Sequence, residues 1–301
     1  MRLWQTVVPV LGLAIAGLAI FVFYQIHSLK VESITDDLHV VYGLGGNAGV
    51  LATDEGTVII DTMTLHYQGE RIREVAEELT GSPVTVIINT HYHLDHTHGN
   101  PAFSAGTRVV STARTLHHLE QTDSEYFSGK AARLKPNETF SDAMDLDMGN
   151  KTLRLVHPGR GHTDGDLVVL MIEDRTLHTG DLFFHRHYPN IDLEAGGTVQ
   201  EWSETIEETM QLDFDAVIPG HGPVTDRAGF RQFQAFIRQL AQIGTWAKSE
   251  GISLEETMAT DRLTHDAGYT PLKMIVPIGL NREFVLKRAW EETHGAFELR
   301  P

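Results

Sequence analysis

The chain has 301 residues, with 24 lysines and arginines against 41 acidic residues, and therefore a formal net charge of −17. This balance argues against nucleic acid as a partner, because phosphate-backbone binding needs clustered basic residues that release counterions. The composition, 41% apolar and 22% charged, is typical of a folded globular protein. The chain contains 17 histidines but no cysteine, which excludes disulfides, thiolate metal sites and cysteine nucleophiles.

The N-terminal segment, residues 1–30, differs from the rest of the chain. Residues 7–24 carry no charge, and 18 helical residues would span about 27 Å, close to one bilayer core. We therefore predict a single-pass inner-membrane anchor, with the rest of the protein facing the periplasm or exterior. The alternative is a cleaved signal peptide, since Ala14-Ile15-Ala16 has the small-x-small form of a cleavage site.

Residues 31–301 are predicted to form one domain that ends in helices. Without Arg2 and Lys30 this body has 22 basic residues against the same 41 acidic ones, or a net charge of −19. Hydrophobic patterns predict strands at 37–43, 48–53, 57–61, 84–89, 109–111, 153–157, 167–172, 176–178 and 216–218. They predict helices at 68–80, 112–121, 198–212, 227–248 and, in the tail, 269–293. Interleaved strands and helices indicate an α/β or α+β layered domain.

Four potential metal ligands follow directly after the apolar strand at 84–89: His91, His93, Asp95 and His96. Because residues two apart in an extended chain point to the same side, His91 and His93 can bind one ion together. Asp95 and His96 lie beyond the strand end and can turn toward a second ion nearby. Imidazole and carboxylate are the ligands that zinc accepts where thiolate is lacking. The pattern therefore predicts a metal site.

The motif His91-x-His93-x-Asp95-His96 resembles the signature of the metallo-β-lactamase superfamily. Residues 159–166 (GRGHTDGD), 178–181 (HTGD) and 218–222 (IPGHG) resemble the later motifs of that family, in the same order. The resemblance implies a four-layer αββα sandwich with the metals at one edge between two sheets. Within the superfamily, the chain is most similar to exported, membrane-linked members known as quinoprotein-relay or sulfur-oxidation-associated hydrolases.

The same resemblance implies two metal ions, expected to be zinc, with iron or manganese as the other options. It assigns His91, His93 and His162 to the first ion, and Asp95, His96 and His221 to the second. Asp181 would bridge the two. Two ions held this way acidify the water between them, producing a hydroxide that attacks the carbonyl of an ester, lactone, thioester or amide. Asp95 and Asp181 are thus the expected catalytic residues, and the substrate is expected to be a small molecule.

Other functions stay open at this level. Aspartate rather than cysteine at position 181 resembles the hydrolase, lactonase and glyoxalase-II branches, and a β-lactamase of the histidine-only type also fits. A persulfide dioxygenase with one iron is a further alternative, as is a non-catalytic membrane-anchored metal-binding protein. His98, His185 and His187 are predicted to serve the loop structure or the surface rather than the metals.

Overall fold

The computed structural model describes Gly17, residues 28–272 and residues 278–300. Apart from Gly17, the predicted anchor at residues 7–24 lies outside the described part of the chain. Within the described ranges, the structure contains no helix that is both long enough and apolar enough to cross a bilayer.

The first sheet has seven strands, which follow one another in chain order. They are β1 (Lys30–Ser33), β2 (Leu38–Tyr42), β3 (Ala48–Thr53), β4 (Gly56–Ile60), β5 (Val84–Ile88), β6 (Arg108–Thr112) and β7 (Glu138–Phe140). Strands β1–β4 pair antiparallel, whereas β4–β7 pair parallel. Parallel neighbours need crossover connections, which here contain α1 (His66–Thr80), the short α2 (Leu94–Thr97) and α3 (Ala113–Thr122).

The second sheet has six strands in the order β13-β12-β11-β10-β9-β8. They are β8 (Ala143–Asp147), β9 (Thr152–Val156), β10 (Val168–Met171), β11 (Thr176–His178), β12 (Ala216–Ile218) and β13 (Thr225–Asp226). Only β11 and β12 pair in parallel, and the connection between them contains α4 (Val199–Thr209). Three further helices follow, namely α5 (Arg227–Glu250), α6 (Leu254–Met258) and α7 (Arg282–His294).

Among the described residues, three large apolar cores lie between the layers, besides a small fourth cluster around Tyr92 and Leu119. One core joins the two sheets, with Val58 and Ile88 of the first sheet packed in the same cluster as Leu155 and Val169 of the second. A second core lies between the first sheet and α1, and a third between the second sheet and helices α4, α5 and α7. The order is therefore helix, sheet, sheet, helix, which confirms the predicted αββα sandwich.

The predicted tail helix at 269–293 is wrong in its first part. Helix α7 begins only at Arg282, and the described residues 269–272 and 278–281 are not helical. Gly279 has φ 82°, a left-handed conformation that interrupts a helix. Asn281 then caps α7, because its side chain accepts a hydrogen bond from the backbone N–H of Phe284. Apolar spacing alone did not reveal this start.

Candidate metal centre

The loops that carry the predicted ligands meet at one end of the sandwich. One loop follows β5, a second joins β9 to β10, and two more follow the parallel neighbours β11 and β12. Four segments that are far apart in sequence are thereby brought to one edge between the two sheets.

The first ligand group consists of His91, His93, His162 and Asp181, whose potential ligand atoms lie within 4.8 Å of one another. The Nδ1 of His93 is 3.1 Å from Nε2 of His91 and 2.8 Å from Nε2 of His162. The Oδ2 of Asp181 lies 3.8 and 3.6 Å from those same two Nε2 atoms. Three imidazole nitrogens and one carboxylate oxygen converge, a set of donors that suits zinc.

The outer nitrogens of these rings are also engaged. Nδ1 of His91 lies 3.1 Å from the hydroxyl of Thr90, and Nδ1 of His162 lies 3.0 Å from the carbonyl oxygen of Asn190. Because His162 donates to that carbonyl, its Nε2 is left as the acceptor that faces the group. Such partners hold each ring in a metal-binding orientation.

The second ligand group consists of Asp95, His96 and His221. Nε2 of His221 lies 3.3 Å from Oδ2 of Asp95 and 3.4 Å from Oδ1 of Asp181. Nε2 of His96 lies 3.2 Å from the same Oδ1. Asp181 thus turns Oδ2 toward the first group and Oδ1 toward the second.

Two atoms at the junction of the groups test whether metal ions fit. Nε2 of His96 and Oδ1 of Asp181 are both buried, and although they lie 3.2 Å apart, neither makes a hydrogen bond of good geometry. Leaving buried polar atoms unpaired costs free energy, so such atoms in a folded protein point to a missing ligand. Both are of types that coordinate divalent metals, and the residues present therefore fit a metal centre.

A cavity of about 200 Å³ opens onto both groups, and His93, Asp95, Asp181 and His221 form part of its lining.

The comparison with known proteins agrees with this arrangement. Residues 41–221, more than half of the chain, match the family model described as the metallo-β-lactamase superfamily. The chain belongs to the metallo-β-lactamase superfamily.

Several members of the superfamily are similar to this chain at low sequence identity. It is 29% identical over 184 residues to a metallo-β-lactamase type 2 of Bacillus sp. strain 170, covering 60% of this chain and 68% of that protein. A linear primary-alkylsulfatase of a Pseudomonas species is 21% identical, over 74% of this chain and 51% of that protein. A solved metallo-β-lactamase from Pontibacter korlensis superposes with a TM-score of 0.60 at 24% identity, over 70% of this chain and 99% of that chain.

Asp61 supports the second group of this superfamily member, and sequence reasoning assigned it no role. Its Oδ2 lies 2.7 Å from Nδ1 of His96, and its carboxylate also accepts hydrogen bonds from the backbone N–H and the hydroxyl of Thr90. Asp61 has φ 61°, unusual for a residue other than glycine, and lies directly after β4. The sequence shows an aspartate after a strand but not its backbone conformation, so it did not reveal this role of Asp61.

Asp192 supports the first group through His93, and it too was missed. Its Oδ2 lies 3.0 Å from Nε2 of His93 and accepts the hydroxyl of Tyr92. The guanidinium of Arg300 contacts both Tyr92 and the Asp192 carboxylate, and the backbone N–H of Arg300 donates to the carbonyl of Glu194. Arg300 thus contacts the carboxylate that supports His93 of the first ligand group.

Two glycines allow the backbone to approach the proposed ligands. A Cβ added to Gly46 would lie 2.2 Å from Cε1 of His96, and one added to Gly220 would lie 2.1 Å from Oδ1 of Asp181. No other residue has room at either position.

The two groups differ in their protonation. Burial lowers the pKa of His91 well below its usual value and that of His162 to about 4. Burial acts in the same direction on His96 and His221, but the Asp181 carboxylate outweighs it. The pKa of His96 is therefore raised well above its usual value, and that of His221 is raised to about 9. Without bound metal at neutral pH, the first two imidazoles are neutral and the other two are protonated.

The remaining singled-out histidines lie outside both groups. His98 stacks on Tyr126 with ring centroids 3.8 Å apart. Nδ1 of His185 is 2.7 Å from the carbonyl oxygen of Pro223, and His187 contacts Thr270.

Proposed function

We propose that this protein is a hydrolase with two metal ions, expected to be zinc, which cleaves an ester, lactone, thioester or amide of a small-molecule substrate. The observation that carries the proposal is the position of Asp181, whose two carboxylate oxygens face the two ligand groups. In this proposal His91, His93 and His162 would hold the first ion, Asp95, His96 and His221 would hold the second, and Asp181 would be a ligand shared by both.

Two bound metal ions would supply an acidic water and a Lewis acid for the substrate carbonyl. The side chains of the site then move the proton. Burial raises the pKa of Asp95, but the facing His96 and His221 outweigh this and hold it below its usual range, so the carboxylate is ionised. Asp95 lines the cavity and is placed to accept a proton from the attacking water. The water oxygen forms the new bond to the acyl carbon, the bond to the leaving group breaks, and the proton passes to the leaving group.

A β-lactamase is the second candidate, because relatives such as the Bacillus protein carry that name. A dioxygenase with a single iron is less well supported, since one ion has no use for the second group of Asp95, His96 and His221.

The position of the protein in the cell is part of the proposal. We infer that residues 1–30 anchor it in the inner membrane and that residues 31–301, the catalytic domain, face the periplasm or exterior. The support is the uncharged run at residues 7–24.

Metal analysis combined with a substrate panel tests the proposed reaction. We expect two zinc ions per chain and turnover of at least one member of an ester, lactone, thioester and β-lactam panel. One tightly held iron without zinc would contradict the proposal and favour the dioxygenase.

The variant Asp181→Ala tests the bridge itself. It should lose at least about 100-fold in rate and part of the metal, because the two cations lose a shared anionic ligand. The control His66→Ala removes an exposed histidine of α1 and should change neither quantity. Wild-type rate and metal content in Asp181→Ala would show that the ligand assignment is wrong.

A further inference from the structure

The walls of the cavity are apolar. Beyond the proposed metal ligands, its lining consists of Asn190 and five apolar side chains: Leu94, Phe184, Leu272, Ile278 and Leu280. Leu94 is 46% exposed and Ile278 is 42% exposed, whereas Phe184 is fully buried. Large apolar side chains left open to solvent around a polar centre are typical of a surface that a ligand covers.

A basic side chain is missing from the described part of this lining. Two arginines of the C-terminal region are already paired with carboxylates. Arg282 contacts Asp266, and Arg300 contacts Asp192. A negatively charged substituent that reached the apolar walls would therefore lose its hydration without gaining a partner.

We propose that the natural substrate is an uncharged ester or lactone, whose acyl arm lies against Leu272, Ile278 and Leu280. This inference rests on the proposed hydrolase function and narrows it. Each methylene group buried against these walls should raise kcat/KM about fourfold, as expected from the transfer of apolar surface out of water. A preference for uncharged substrates would distinguish this chain from the relative named a linear primary-alkylsulfatase, because an alkyl sulfate is an anion.

Matched p-nitrophenyl esters test the proposal on the full-length, zinc-loaded protein. The hexanoate and the mono-ester of adipate have the same acyl length and differ only in a terminal methyl or carboxylate group. We expect kcat/KM to rise about 15-fold from butyrate to hexanoate. We also expect the hexanoate to exceed the adipate mono-ester by at least about tenfold. Equal or faster turnover of the adipate ester would overturn the proposal.

The substitution Ile278→Lys tests the wall directly. A cation there should raise kcat/KM for the adipate ester and lower it for the hexanoate. The ratio of the two values, hexanoate over adipate, should therefore fall by at least about tenfold. The matched control is Leu79→Lys on α1, because Leu79 is 41% exposed and does not line the cavity. It should leave the preference unchanged, and both variants should keep the wild-type zinc content. An Ile278→Lys protein with normal zinc and an unchanged preference would contradict the proposal.

Lys273 lies outside the described residues, next to Leu272 in the sequence. The variant Lys273→Met should keep the preference for hexanoate, and turnover of the adipate ester that depends on Lys273 would contradict the proposal. Failure of the proposed function gives a different result: a zinc-loaded protein that hydrolyses no member of the substrate panel overturns the hydrolase and its substrate class together. Hydrolysis with a preference for anions overturns the substrate class alone.

Discussion

Asp192 contacts the ring nitrogen of His93 that points away from His91 and His162. Its Oδ2 lies 3.0 Å from Nε2 of His93, while Nδ1 of the same ring faces His91 and His162. A carboxylate in this position accepts the proton of Nε2, which fixes the imidazole tautomer and leaves Nδ1 free to bind metal. Asp192 is 5% exposed and its carboxylate is also contacted by Arg300, so the C-terminal residues help to position a proposed metal ligand.

Replacing Asp192 by asparagine should therefore weaken zinc binding. We expect Asp192→Asn to lower the zinc affinity about 10- to 100-fold, as measured by competition with a chromophoric chelator. Arg300→Met should give a smaller loss, because it leaves the carboxylate in place but removes its cationic partner. Arg154→Met breaks an exposed pair with Asp145 and serves as the control. Unchanged zinc affinity in Asp192→Asn would show that this carboxylate serves the fold alone.

Gly220 should tolerate no side chain. In Gly220→Ala the new Cβ would meet Oδ1 of Asp181 at 2.1 Å and displace the bridging carboxylate. We expect zinc content and turnover to fall together, the rate by at least about 100-fold. Gly106→Ala is the matched control, because a Cβ there meets nothing within 4 Å. Full zinc content in Gly220→Ala would show that zinc binding does not depend on the observed position of the Asp181 carboxylate.

Metal binding to the second group should be coupled to proton release. With its pKa raised to about 9, His221 is protonated at pH 7 in the metal-free protein, as is His96. A metal ion must displace these protons, so its affinity should rise with pH, and the contribution of His221, about tenfold per pH unit, should level off near pH 9. His162, whose pKa is lowered to about 4, contributes no such dependence above pH 5.

Calorimetry in buffers of different ionisation enthalpy measures this coupling. The weaker of the two zinc equivalents should release more protons than the tighter one at pH 7. Equal proton release by both equivalents would contradict the difference in protonation between the groups.

The N-terminal segment should make the full-length protein an integral membrane protein. It should pellet with membranes and resist extraction by high salt or alkali, because the attachment is apolar burial rather than charge pairing. The domain should be digested by protease added to spheroplasts. Recovery of a soluble protein that begins near Gly17 would establish signal cleavage, and protection from the protease would reverse the orientation.

Local pattern was enough to predict many of the strands and the long helices. The strands Ala48–Thr53, Thr176–His178 and Ala216–Ile218 have the bounds predicted from apolar runs. The long helix α5 begins at Arg227, as its spacing predicted, and ends two residues later than predicted, at Glu250. Each of these elements packs apolar side chains into a core, and the regular spacing of such side chains can be read within a single segment of sequence. The short strands β1, β7, β8 and β13 were missed, because two to five residues carry too little pattern.

The sequence by itself identified the proposed metal ligands: His91, His93, Asp95 and His96 from their cluster after an apolar strand, and His162, Asp181 and His221 from motifs that resemble those of the superfamily. Only the tertiary structure decided what surrounds them. Asp192 and His93 are 99 positions apart, and Arg300 and Asp192 are 108 apart. Asp61 reaches His96 because β4 and β5 are parallel neighbours in the sheet. Hydrogen bonds between distant segments depend on how layers pack, and the spacing of residues along a chain records nothing of that packing.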